Sequence, residues 1–142
     1  MTGKQGFTMI ELLIAAAMLA LLVVISMAAL PTSLTRARDS RKKNDLRQIA
    51  QALEDYVNDN TCYPEASEMD TCGGNQLQPY MNKYFCEKDA VPYTYLRFDC
   101  RTYALYTTLE LTDDEDIDRV GCREGCGPAN TYNYGVSNQA LQ

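Results

Sequence analysis

The chain of 142 residues has no histidine and no tryptophan, and no cysteine before Cys62. Without histidine, the side chain most used for acid–base catalysis and metal ligation near neutral pH is missing. A zinc site is left without histidine ligands, and no C-x-x-C pair is matched by a second one. There is no G-x-S-x-G and no glycine-rich phosphate loop. The carboxylates form no paired cleft that the sequence reveals, so an enzyme is not expected. Charge is missing from one long stretch: from Leu12 to Leu30 Ser26 is the only polar residue. As a helix that run would cover roughly 28 Å, close to the hydrocarbon thickness of a bilayer. Basic residues are scarce late in the chain, with 6 against 16 acidic ones from residue 48 onward. That part should stay soluble at neutral pH and repel nucleic acid, so no direct nucleic-acid contact is expected.

What the chain does have is a basic collar and a set of cysteines. Residues 36–47 carry Arg36, Arg38, Arg41, Lys42, Lys43 and Arg47 against Asp39 and Asp45. The collar could lie against anionic lipid headgroups, or make salt bridges with acidic surfaces of neighbouring subunits. Cys62, Cys72, Cys86, Cys100, Cys122 and Cys126 all follow the apolar run. An even number in a small polar region beyond a membrane segment predicts disulfides and an oxidising compartment. Many connectivities are open; the sequence-local one pairs Cys62 with Cys72, Cys86 with Cys100, and Cys122 with Cys126.

The stretch "GKQGFTMIELLIAAAM", residues 3–18, places Glu11 inside the apolar run. A carboxylate in hydrocarbon costs several kcal/mol unless it is neutralised or partnered. The leader MTGKQG has Lys4 as its only charged side chain, and the apolar run begins right after it. A secretory signal peptide would be shorter and end in a small-residue cleavage site. Lys4, Gly6, Phe7 and Glu11 together resemble the prepilin leader of the type IV filament superfamily, which comprises type IV pilins and the pseudopilins of type II secretion. The likeness is dense over residues 6 to about 57 and extends to the rest only in general layout.

The resemblance implies cleavage after Gly6 by a prepilin peptidase and methylation of the new amino group on Phe7. It implies single-pass insertion in the inner membrane with the head extracytoplasmic. Polymerisation would follow, with other pilin-like subunits, driven by an inner-membrane assembly platform and a cytoplasmic ATPase, into an extracellular or periplasmic filament. Glu11 would then pair with the Phe7 amino group of an adjacent subunit. Basic-residue counting alone would place the C-terminal part in the cytoplasm, with Lys4 on one side and six basic residues on the other. The cysteines and the motif oppose it, and the orientation is taken from them. The rival reading is a monomeric membrane-anchored extracytoplasmic binding module, whose binding could depend on calcium.

The implied fold is α+β and pilin-like, with one long N-terminal helix packed on a small antiparallel sheet. Residues 1–6 form the leader and 7–59 the helix, transmembrane over 7–30 and amphipathic over 31–59. Residues 60–142 form a disulfide-containing head. Pro31 predicts a kink. Leu46, Ile49, Ala50, Leu53, Tyr56 and Val57 recur at helical spacing, opposite Arg47, Gln48, Gln51, Glu54 and Asp55. A short helix is expected near Gln78 to Tyr84, and strands in "PYTYLRF", "TYALYTTLEL" and "TYNYGVS". In "DDEDID", residues 113–118, Asp114, Asp116 and Asp118 have the first spacings of a calcium loop, but Arg119 stands where its glycine belongs. A calcium site could still form from Asp113, Asp114, Asp116 and Asp118, as in the loops of major pseudopilins; otherwise the stretch is a solvated acidic turn. The tyrosines, all from Tyr56 onward, should fill strand faces with their hydroxyls reaching water.

Overall fold

The computed structural model describes residues 7–88 and 90–141, with backbone alone for residues 28–31. The fold is α+β and pilin-like: one long N-terminal helix and small antiparallel sheets. The helix, α1, runs Met9–Asn60. It continues through Pro31, but the side chains of residues 28–31 lie outside the described residues, and so does the kink expected there. The chain divides into two compact units, Met1–Arg36 and Ala37–Gln142.

In the first unit every described side chain through Met27 is exposed, including Leu12, Ile14, Leu19, Leu22 and Ile25. A helix that is apolar on all sides has no stable place in water. Ser26 does not interrupt this character, because its Oγ donates to the Leu22 carbonyl at 2.8 Å and leaves no unpaired polar group.

In the second unit the same helix becomes amphipathic. Leu46, Ile49 and Leu53 are fully buried, Ala52 and Val57 nearly so, while Ala50 and Tyr56 are half-buried at the edge of that face. The five strands are β1 (Cys86–Lys88), β2 (Val91–Pro92), β3 (Thr94–Asp99), β4 (Thr102–Thr107) and β5 (Tyr134–Ser137). β1 and β2 pair as a hairpin; the larger sheet has the order β3-β4-β5, antiparallel throughout. The register sets Tyr95 opposite Leu105 and Leu105 opposite Val136, and these share one core with the helix face. On the other face of the sheet, Ala104 and Tyr106 pack under the Cys122–Cys126 disulfide, with Leu96 and Tyr132 beside them. The whole of β4 is therefore buried. A disulfide-closed loop covers the face of β4 that the helix does not. The strand also stops at Thr107 rather than continuing through Leu111.

Two local expectations are overturned. No helix forms over Gln78 to Tyr84; residues 76–80 are turns. Pro79 has no N–H to give to a helix, and the Tyr84 backbone is taken up by Gly73 and Gly74, at 2.7 and 2.9 Å. The same pairing corrects the disulfides. Cys72 bonds Cys86, and Cys62 bonds Cys100; Cys122–Cys126 is as expected. Cys62 follows the end of α1, and Tyr63 N–H donates to the Cys100 carbonyl at 3.1 Å, which joins helix end to β3–β4 turn. Backbone hydrogen bonds of Tyr84 with Gly73 and Gly74, and of Tyr63 with Cys100, bring each pair together.

The tyrosines are core rather than surface. Tyr63, Tyr84, Tyr93, Tyr95, Tyr103, Tyr106 and Tyr134 are all buried. Three of their hydroxyls turn to protein acceptors rather than to water: Tyr93 donates to Asp45 at 2.8 Å, Tyr63 to Glu54 at 2.9 Å and Tyr95 to the Pro64 carbonyl at 2.9 Å.

Candidate functional site

The first candidate site is the start of α1. Gly6 lies outside the described residues. Phe7 is 81% exposed. Thr8 is the residue that sequence reasoning passed over: its Oγ accepts the Glu11 N–H at 3.3 Å, and its carbonyl accepts the Leu12 N–H. The signal was available in the T-x-x-E spacing of a helix start. Glu11 falls in the first turn, where a carboxylate is favoured by the helix dipole, and it is exposed. The arrangement presents an exposed aromatic ring and, four residues on, an exposed carboxylate at the end of an uncovered apolar helix.

The second is the collar from Arg38 onward, within the unit that starts at Ala37; Arg36 belongs to the other unit. Sequence reasoning sent these cations outward, to lipid or to neighbours. Much of the collar turns inward instead. Arg38 grips Glu110 with two hydrogen bonds of 2.8 and 2.6 Å. Lys42 donates to the Thr108 carbonyl at 2.6 Å and lies 3.3 Å from Glu87. Lys43 reaches Asp114 and Asp116, each at 2.6 Å. Between them Asp39, 1% exposed, accepts the backbone N–H groups of Glu110 and Leu111, both at 2.9 Å. Asp39 was counted only as a charge from sequence, because its partners lie more than seventy positions away. The Arg38 guanidinium holds the Glu110 carboxyl below its ordinary value.

The acidic loop is the other half of this contact. Asp114 caps α2 (Glu115–Arg119), accepting the Asp116 N–H at 2.9 Å. Burial works against the Lys43 ammonium, but Asp114 and Asp116 outweigh it and raise its pKa above the usual lysine value. Lys43 in turn lowers that of Asp116. Arg119 also bonds Asp116, and Arg123 bonds Asp118 and lowers its pKa. Asp114, Asp116 and Asp118 thus face cations of their own chain, while Asp113 stays exposed. Among the described residues no three acidic or cysteine side chains are grouped to hold a metal ion.

Residues 1–27 match a family model described as the prokaryotic N-terminal methylation motif, the signature of prepilins and pseudopilins. No curated protein and no solved structure matches the chain. The motif points to a structural subunit rather than an enzyme. Motif and apolar helix together fit anchoring in a membrane.

Proposed function

We propose that this chain is a structural subunit of a type IV filament, a pilus or a pseudopilus. It is held in the inner membrane by the first half of α1, with the head on the extracytoplasmic side. A prepilin peptidase cuts after Gly6 and methylates Phe7. An inner-membrane platform and a cytoplasmic ATPase then draw the subunit into a polymer built on its N-terminal helix.

The observation that carries the reading is Glu11 on an uncovered apolar helix, within residues that match the methylation motif. Lipid would satisfy the leucines around it but not the carboxylate. The amino group of an adjacent Phe7 would satisfy it, because each charge alone is penalised in an apolar bundle while the pair attract strongly. Three disulfides in the head support the extracytoplasmic orientation.

The test is Glu11→Ala in the full chain expressed in its native envelope. Filaments are expected to disappear, while the head stays oxidised and the intact mass still begins at methylated Phe7. Normal filaments from this variant would overturn the assembly role, and a mass retaining Met1 with free thiols would overturn processing and orientation together.

A further inference from the structure

We infer that the cationic groove between α1 and the β1–β2 hairpin receives the acidic carboxyl-terminal end of α1 from a second copy of this chain. The inference rests on the filament reading and deepens it, since it names a head-to-head contact within that polymer.

The groove is open, about 790 Å³, and is lined by Arg38, Arg41, Lys42 and Lys88 with Glu87 and Glu110. Arg38 is matched by Glu110, and Lys42 by Glu87. Arg41 remains, its side chain 72% exposed and its guanidinium 3.6 Å from Asp45. Lys88 also remains, exposed on β1. Counting Asp45, which Arg41 meets, one positive charge is left in surplus among these described residues, on a head that is otherwise acidic. Val91, 55% exposed, adds an apolar surface to the rim.

The complement lies farther along the same helix. Asp55 and Asp59 are one turn apart and exposed. They accept from neutral groups, the Gln51 amide at 3.3 Å and the Tyr80 hydroxyl at 2.7 Å, and have no cation partner among the described residues. Arg41, Gln48, Asp55 and Asp59 are the exposed members of one stripe of α1 at helical spacing, while Asp45 and Ala52 between them are buried under the head. Arg41 and Asp55 are therefore about 20 Å apart along a stiff rod, at about 1.5 Å per residue. The two ends of the stripe cannot neutralise each other within one copy; they can between two copies displaced along the helix. Two exposed patches of unlike charge on one chain make a head-to-tail contact, which propagates into a polymer instead of closing into a dimer. Each pair of exposed charges is weak alone, so the contact acts through repetition and through the register it selects.

The test begins with Arg41→Glu plus Lys88→Glu in the full chain. Loss of sheared filaments is expected, with the head still oxidised. Adding Asp55→Lys and Asp59→Lys to that chain should restore filaments, because the attraction is rebuilt with its signs exchanged. Independently, a chain with Lys88→Cys and Asp59→Cys should give a ladder of disulfide-linked subunits when filaments are oxidised. If the reversed chains fail to fold, the ladder decides, and its absence overturns the contact. Normal filaments from Arg41→Glu plus Lys88→Glu would also overturn it. If those filaments no longer sedimented with phosphatidylglycerol vesicles, the groove would belong to lipid instead. Filament loss in Glu11→Ala alongside normal assembly of the charge-reversed chain would sink this contact and leave the filament reading standing. Intact filaments in Glu11→Ala would sink that reading first.

Discussion

Tyr84 and Tyr93 are equally buried, yet their hydroxyls are in opposite situations. Tyr93 donates to Asp45, itself 6% exposed, whereas the Tyr84 hydroxyl has no hydrogen-bond partner among the described residues. An unmade bond in a core costs the full desolvation of the group. Tyr84→Phe should therefore leave the head unchanged or more stable by up to about 1 kcal/mol, since it removes an oxygen that gains nothing. Tyr93→Phe should destabilise it by about 1.5–3 kcal/mol, because it strips a buried carboxylate of a donor. Urea unfolding of the two variants checks both, and the opposite ranking would contradict the assignment of their partners. The abundance of tyrosine was plain in the sequence, but its meaning was not. Residue type says that a hydroxyl must end somewhere; it does not say that Tyr93 will meet a carboxylate 48 positions earlier.

At the scale of elements, α1 is held by a clasp. Arg38, Asp39, Lys42 and Lys43 fill one turn and a half and bond to the segment from Thr108 to Asp116. Lys43 occupies the space between Asp114 and Asp116 that a bound cation would take. Lys43→Met should cost about 2 kcal/mol, less than the roughly 3–5 of a fully buried pair because both carboxylates keep some exposure. It should also release two neighbouring carboxylates for calcium. Calcium is then expected to raise the melting temperature of Lys43→Met more than that of the unaltered chain. An equal response in the two would place calcium away from this loop. The helix was legible because its apolar residues keep a 3.6-residue period from Leu46 to Val57, and burial follows that period. The strands in "PYTYLRF" and "TYNYGVS" were legible by alternation and turn residues, to within a few positions. The clasp was not legible, because a run of basic residues looks the same whether it faces lipid, a neighbour or its own chain. Thr8 could have been found from spacing, whereas Asp39 could not, since nothing local distinguishes it from Asp45.

Taken as a whole, the chain contains two units that make opposite demands on their surroundings. Met1–Arg36 exposes leucine, isoleucine and valine, and among its described residues no side chain is buried. Ala37–Gln142 is closed by three disulfides around a core rich in tyrosine. That core makes the head sensitive to alkali. Burial raises the pKa of Tyr84, Tyr93, Tyr95 and Tyr103, reinforced at Tyr93 by Asp45 and at Tyr103 by Glu54. Burial and Glu54 push Tyr63 from 10.0 to about 12. A group whose pKa is higher folded than unfolded binds its proton more tightly in the folded state. Its contribution is complete below the unfolded value and is lost as pH climbs toward the folded one. Tyr63 alone then accounts for roughly 3 kcal/mol. The urea midpoint of the oxidised head should be insensitive to these tyrosines below pH 10 and fall steeply between 10 and 12. Phenolate absorbance should rise in step with that loss of structure, because the buried rings ionise on unfolding. A gradual phenolate titration centred at about pH 10, with the fold retained throughout, would mean that these hydroxyls reach water after all.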